Sequence, residues 1–161
     1  MLSNKLQHFF YFLFLFVSLQ ACTQNTDSVS QTKSADSCQN CGMFWANYPK
    51  SAAFLETQEG RQLNFCSNRC MFTVVLSTKP SLKIKKTSVV DYFTQQKTEG
   101  QTAFYVIGSD QMGAMGHDFI AHKSKEAAQE FETEHQGKKT VTFQEVTLDL
   151  VQKVSTGKMN Q

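Results

Sequence analysis

An excess of charge of one sign is what this 161-residue chain most plainly lacks: 16 basic side chains stand against 14 acidic ones. With no basic stripe to neutralise phosphates, nucleic acid has no electrostatic reason to bind. Histidine is scarce too. Beyond the first 21 residues only His117, His122 and His135 remain. Asp118 beside His117 does not make a triad by itself, so no catalytic residue is assigned and the chain does not read as an enzyme. A membrane-spanning apolar run is also missing. Phe9 to Leu19 ("FFYFLFLFVSL") is the nearest approach, and it is too short to cross a bilayer comfortably.

That short run has another use. Lys5 precedes it, and Leu19-Gln20-Ala21-Cys22 follows. Positive residue, apolar stretch, small residue and cysteine come in the order of a lipoprotein signal. Residues 1–21 are therefore expected to be a signal peptide, with Cys22 the lipid-carrying first residue of the mature chain. Without Lys5 the basic and acidic side chains number 15 and 14. Residues 22–37 contain almost nothing to bury and read as a flexible tether. The expected location is the cell envelope, with the protein lipid-anchored to a membrane and facing the periplasm or exterior. Thr23 is not the Asp of inner-membrane retention, which points to the outer membrane.

The remainder, residues 38–155 with a tail at 156–161, reads as one metal-binding domain. Strands are expected over Ser51–Thr57 and Arg61–Cys66 around a turn at Gln58-Glu59-Gly60. Ser67 should cap a helix over Asn68–Ser77, and a strand should follow near Ser88–Phe93. The second half repeats the order: Thr102–Ile107, Phe119–His122, a helix from Ser124 to Gln136 closed by Gly137, and Thr140–Val146. Thr147 caps a final short helix. Strand, strand, helix, strand, written twice, predicts an α+β fold of duplicated ββαβ units forming one compact domain. Cys66 and His122 both fall where a second strand gives way to a helix, so pseudo-symmetry is expected to bring them into one cleft.

After Cys22, four cysteines remain: Cys38, Cys41, Cys66 and Cys70. In an exported protein the default is two disulfides. Four thiolates could instead close a tetrahedral zinc site. Reduced copper, which is soft, takes thioethers as well as thiolates. Met43 stands in Cys41-Gly42-Met43, where Gly42 removes side-chain bulk beside two sulfurs. Met112 and Met115 lie in the glycine-flanked stretch "QMGAMG", with less packing work to do than Met71 in its apolar helix. Phe44 and Trp45 read as core or as a wall shielding the sulfurs, and His135 as a solvated residue at a helix end. A dithiol oxidoreductase is disfavoured, because no strong strand leads into Cys38-Gln-Asn-Cys41 and Gly42 follows it.

Asp36-Ser-Cys-Gln-Asn-Cys-Gly-Met43, Phe65-Cys66-Ser67, Tyr105-Val-Ile-Gly108 and Gly113-Ala-Met-Gly116 resemble, in order and rough spacing, the motifs of the NosL family. These are accessory lipoproteins of nitrous-oxide reductase. The resemblance implies a copper chaperone built from a duplicated ββαβ unit. It implies one Cu(I) as cargo; Zn(II), the alternative metal, is suggested instead by the four cysteines themselves. The implied partners are an ABC-type membrane complex of the copper-delivery pathway and apo nitrous-oxide reductase, with the membrane reached through the lipid anchor. The implied metal residues are Cys41, Met43, Cys66 and Met115, with Cys38 matching the first cysteine of the motif. Cys70 and His122 match no motif general to the family and stand as possible additional ligands. If Cys70 ligates, a structural four-cysteine zinc module becomes the competing reading.

Overall fold

The computed structural model describes residues 35–78 and 81–159. The expected signal peptide, Cys22 and most of the expected tether lie outside the described residues. Among those described, no helix is long and apolar enough to cross a membrane.

The first unit opens with a hairpin, β1 (Ala53–Thr57) and β2 (Gln62–Phe65). Its turn is closed by Gly60, which adopts φ +80° and donates its N–H to the Thr57 carbonyl at 2.9 Å. Helix α1 (Asn68–Ser77) follows, with the Ser67 hydroxyl accepting from the Cys70 amide. Strand β3 (Ile84–Val90) then pairs antiparallel with β1. It lies earlier than the sequence pattern suggested, because Asp91 ends it. The Asp91 carboxylate accepts from the Thr94 backbone N–H at 2.8 Å and its hydroxyl at 2.6 Å, turning the chain. Strand β4 (Lys97–Glu99) returns against β3, giving the sheet order β2-β1-β3-β4.

The second unit repeats this plan with β5 (Phe104–Ile107), β8 (Ile120–His122), α2 (Lys125–Glu134) and β9 (Lys139–Thr142). Its sheet order is β8-β5-β9. In both halves the first strand lies between the second and the one after the helix, all antiparallel, so the duplication is real. A two-stranded hairpin, β6 (Met112–Gly113) and β7 (Gly116–His117), is inserted in the second unit. Helix α3 (Leu148–Ser155) is capped by Thr147 as expected. Two other boundaries differ. Gln136, not Gly137, takes the left-handed conformation after α2. Gly137 is small for a different reason, since a Cβ there would meet Val106 Cγ1 at 2.5 Å. The last strand stops at Thr142 because Thr142 and Glu145 form a capping box that starts a 3-10 turn.

Helix α1 is buried on most of its circumference and packs on β1, β2 and α3. Phe72 reaches into the second unit, with ring centroids 5.0 Å from Tyr105, 5.0 Å from Phe119 and 5.2 Å from Phe143. One continuous core therefore serves both units, while Val106, Ile120, Ala128 and Phe131 form a smaller cluster under α2.

Candidate metal site

Cys38 and Cys41 belong to a tight loop. The Cys38 amide donates to the Met43 carbonyl at 2.7 Å, and the Gly42 amide to the Cys38 carbonyl at 2.9 Å. Gly42 sits at φ +81°, and nothing lies within 4 Å of where its Cβ would be. Its contribution is thus backbone conformation rather than the spared bulk the sequence suggested. The loop docks on the open edge of β2 through the Gln39 amide and Asn64 carbonyl, 2.9 Å. Cys66 comes directly after β2, where Ser51 Oγ donates to its carbonyl at 2.8 Å. Cys70 lies four residues on, in the first turn of α1.

These placements bring all four sulfurs within 4.8 Å of one another. Cys41 Sγ is 3.5 Å from Cys66 Sγ, which is 3.8 Å from Cys70 Sγ. The four cysteines are free thiols, in place of the two disulfides that were the sequence default. Four thiolates around a metal at the usual zinc–sulfur length would stand about 3.8 Å apart. The spacing is therefore that of sulfurs converging on one ion. Cys38, Cys66 and Cys70 are buried, and Cys41 alone is partly exposed. Charge is shared unevenly among them. The Cys70 side chain hydrogen-bonds Cys38 and, with nearby backbone groups, holds the Cys38 thiol well below its ordinary range against the cost of burial. Burial, with Cys41 and the charge on Cys38, pushes Cys66 up. Cys70 is raised chiefly by its bond to Cys38. Of these three, Cys38 is the thiol whose ionised form its surroundings favour. Asn40 Nδ2 also donates toward Cys70 Sγ at 3.4 Å.

The methionines are placed differently. Met43 is partly buried and packs against the core that holds Cys38, Cys66 and Cys70. Met115 is at the tip of the β6–β7 hairpin, 44% exposed, and Met112 is 55% exposed. Met71 is a packing residue, fully buried.

His122 does not join the thiols. Counted back from the caps Ser67 and Ser124, it corresponds to Phe65, whereas Cys66 corresponds to Lys123. One residue of offset turns a strand side chain to the opposite face. His122 accordingly packs beneath α2, its ring 4.7 Å from Phe131 and 5.6 Å from Phe93. Both its ring nitrogens lack a protein partner, and burial lowers its pKa to about 4. His135 is not simply solvated, for its Nδ1 pairs with Asp110 at 2.9 Å. Phe44 is half exposed rather than core. Trp45 packs edge-on against Phe54, and its Nε1 donates to the Ala35 carbonyl at 3.0 Å.

Sequence reasoning missed Asn40 and Arg69, and weighed Asp118 only as a neighbour of His117. Asp118 is buried, and its Oδ1 accepts from the Arg69 amide at 2.7 Å and the Phe119 amide at 2.8 Å. Its Oδ2 has no protein partner, and burial raises its pKa to about 7. A carboxylate beside Ser67 in space but 51 positions away in sequence gives no local signal.

The family model and the Shewanella denitrificans structure agree with this architecture. The NosL family model matches residues 29–151. The crystal structure of the copper chaperone NosL from Shewanella denitrificans superposes with a TM-score of 0.63 at 28% identity, over 72% of this chain and 92% of that one. The solution structure of apo-NosL from Achromobacter cycloclastes matches with a TM-score of 0.43 at 19% identity, over 62% of this chain and 87% of that one. No curated protein sequence matches significantly. With the family's pattern running through residues 29–151, most of its length, the chain belongs to the NosL family.

Proposed function

We propose that this protein is an extracytoplasmic, lipid-anchored copper chaperone that carries one Cu(I) and passes it on for the maturation of a copper enzyme. The acceptor expected from the family is nitrous-oxide reductase, reached through an ABC-type membrane complex. The observation that carries the reading is the convergence of four thiol sulfurs within 4.8 Å. Thiolates are the donors reduced copper prefers. Cys38, Cys41, Cys66 and Cys70 offer more thiolates than Cu(I) needs, which leaves room for ligand exchange. Cys41, the partly exposed thiol, is the natural point for an acceptor's ligand to attack. Met43 and Met115 serve as thioether ligands during loading and release, Met115 from an exposed turn. Cargo binding of this kind needs no catalytic residue. The lipid on Cys22 would hold the protein at the outer membrane.

One observation favours a second reading. The sulfur spacing also suits a closed tetrahedral Zn(II) site, and three of the four thiols are buried as in a structural module. Anaerobic titration of the reduced full-length chain against a chromogenic Cu(I) chelator separates the two. A copper chaperone binds one Cu(I) far more tightly than Zn(II), and Met43→Ala and Met115→Ala weaken the copper. If Cys70→Ser abolishes all metal binding while both methionine variants leave Cu(I) affinity untouched, the zinc reading prevails.

A further inference from the structure

We infer that Arg69 and Asp118 are positioning residues for copper release, clasping the β6–β7 hairpin that presents Met115 to the helix turn that carries Cys70. The inference rests on the reading of Met115 as a copper ligand.

Arg69 precedes Cys70 in the first turn of α1, and it is bound twice to the second unit. Its backbone N–H donates to Asp118 Oδ1 at 2.7 Å, and its guanidinium Nη2 donates to the Met115 carbonyl at 2.5 Å. Next to it, Asn68 Nδ2 donates to the Phe119 carbonyl at 2.7 Å. Asp118 in turn lies hard against the hairpin, since a Cβ on Gly113 would collide with its Oδ2. The carboxylate is thus held between the start of α1 and the underside of β6. Burying it there leaves Oδ2 without a protein partner, a cost that needs a reason.

A two-stranded ribbon of this length does not hold its own position in water. Its tip is an exposed methionine, which on a loose hairpin would sample many places. The clasp instead ties the carbonyl of Met115 to the residue beside Cys70, so that thioether and thiolates keep a fixed relation. Groups standing behind ligands commonly govern metal retention in this way. Loosening the clasp should therefore speed Cu(I) loss through Met115 while leaving the thiol cluster in place.

The test is stopped-flow transfer of Cu(I) from the full-length reduced protein to a chromogenic chelator. Arg69→Met removes the guanidinium donor and keeps an apolar stem. Gly113→Ala keeps every donor and acceptor but pushes the hairpin off Asp118. Each should accelerate release by roughly tenfold, and neither should accelerate it further in a Met115→Ala background. Thermal unfolding confirms that the variants are folded; if Arg69→Met is not, Gly113→Ala decides alone. Equal acceleration with and without Met115 would overturn the inference, because the clasp would then act on the thiols or on the fold. No acceleration, with Met115→Ala itself releasing copper faster, would overturn it while leaving the chaperone reading intact. If Met115→Ala has no effect, Met115 is not a ligand and the inference falls with that part of the reading.

Discussion

Cysteines with the same chemistry have different environments here, and exposure separates them. Cys38 is the thiol whose ionised form is favoured but is fully buried, whereas Cys41 is partly exposed. Access should outweigh thiolate character, so iodoacetamide added to the metal-free folded protein will modify Cys41 first. Peptide mass spectrometry reads the order, and prior loading with Cu(I) should protect Cys41. Cys70→Ser should weaken Cu(I) by at least the roughly tenfold typical of losing a group behind a ligand, measured by chelator competition. Two buried titrating residues make opposite demands of pH. The Asp118 pKa is raised to about 7 by burial, so its contribution to stability is present at acid pH and lost as the pH rises toward 7. The His122 pKa is lowered to about 4, so its contribution is present above the ordinary histidine range and lost as the pH falls toward 4. Relative to wild type, Asp118→Asn should gain stability as the pH rises from 4 to 7, and His122→Phe should gain it as the pH falls from 6.5 to 4. Each change should be on the order of 2 kcal/mol, read from urea unfolding of the metal-free protein.

Elements with a strong local signal were legible. Helix α1 begins and ends where Ser67 and the apolar stretch to Ser77 place it, and α3 starts after Thr147 as its cap requires. Those signals are contained in a few adjacent residues. The β6–β7 hairpin carried no such signal, because two residues per strand show no periodicity, and "QMGAMG" read only as a loop. Gly116 at φ +90° completes that hairpin. Gly42 matters in the same way at φ +81°. Gly42→Ala should cost about 1–2 kcal/mol of stability with no steric clash, seen as a lower urea midpoint. It should also weaken Cu(I) binding, because the turn sets Cys38 against Cys41.

At the scale of the whole molecule, the two units depend on one another through α1. Phe72 belongs to the first unit by sequence and to the second by contact, among Tyr105, Phe119 and Phe143. Phe72→Ala should therefore cost about 3–5 kcal/mol and unfold both sheets in one transition, checked by calorimetry. The thiol site lies at the start of that same helix, where the 38–41 loop, the end of β2 and the first turn of α1 meet. A ligand that binds only the native state raises stability with its concentration, so Cu(I) should raise Tm in wild type and much less in Cys70→Ser.

By itself, the sequence determined the duplicated ββαβ plan, since periodicity, caps and turns are written in neighbouring residues. It also singled out the cysteines and the family they resemble, because soft donors at fixed spacings can be recognised without coordinates. Only the tertiary structure decided which sulfurs meet. Cys70 joins Cys38, Cys41 and Cys66 because one turn of α1 carries it back over the end of β2. His122 is excluded by a single residue of strand register, which turns it under α2 instead. Arg69 and Asp118 gained their place by the same means, through bonds between residues about 50 positions apart. Such contacts depend on how two units pack, and no short stretch of the chain encodes that packing.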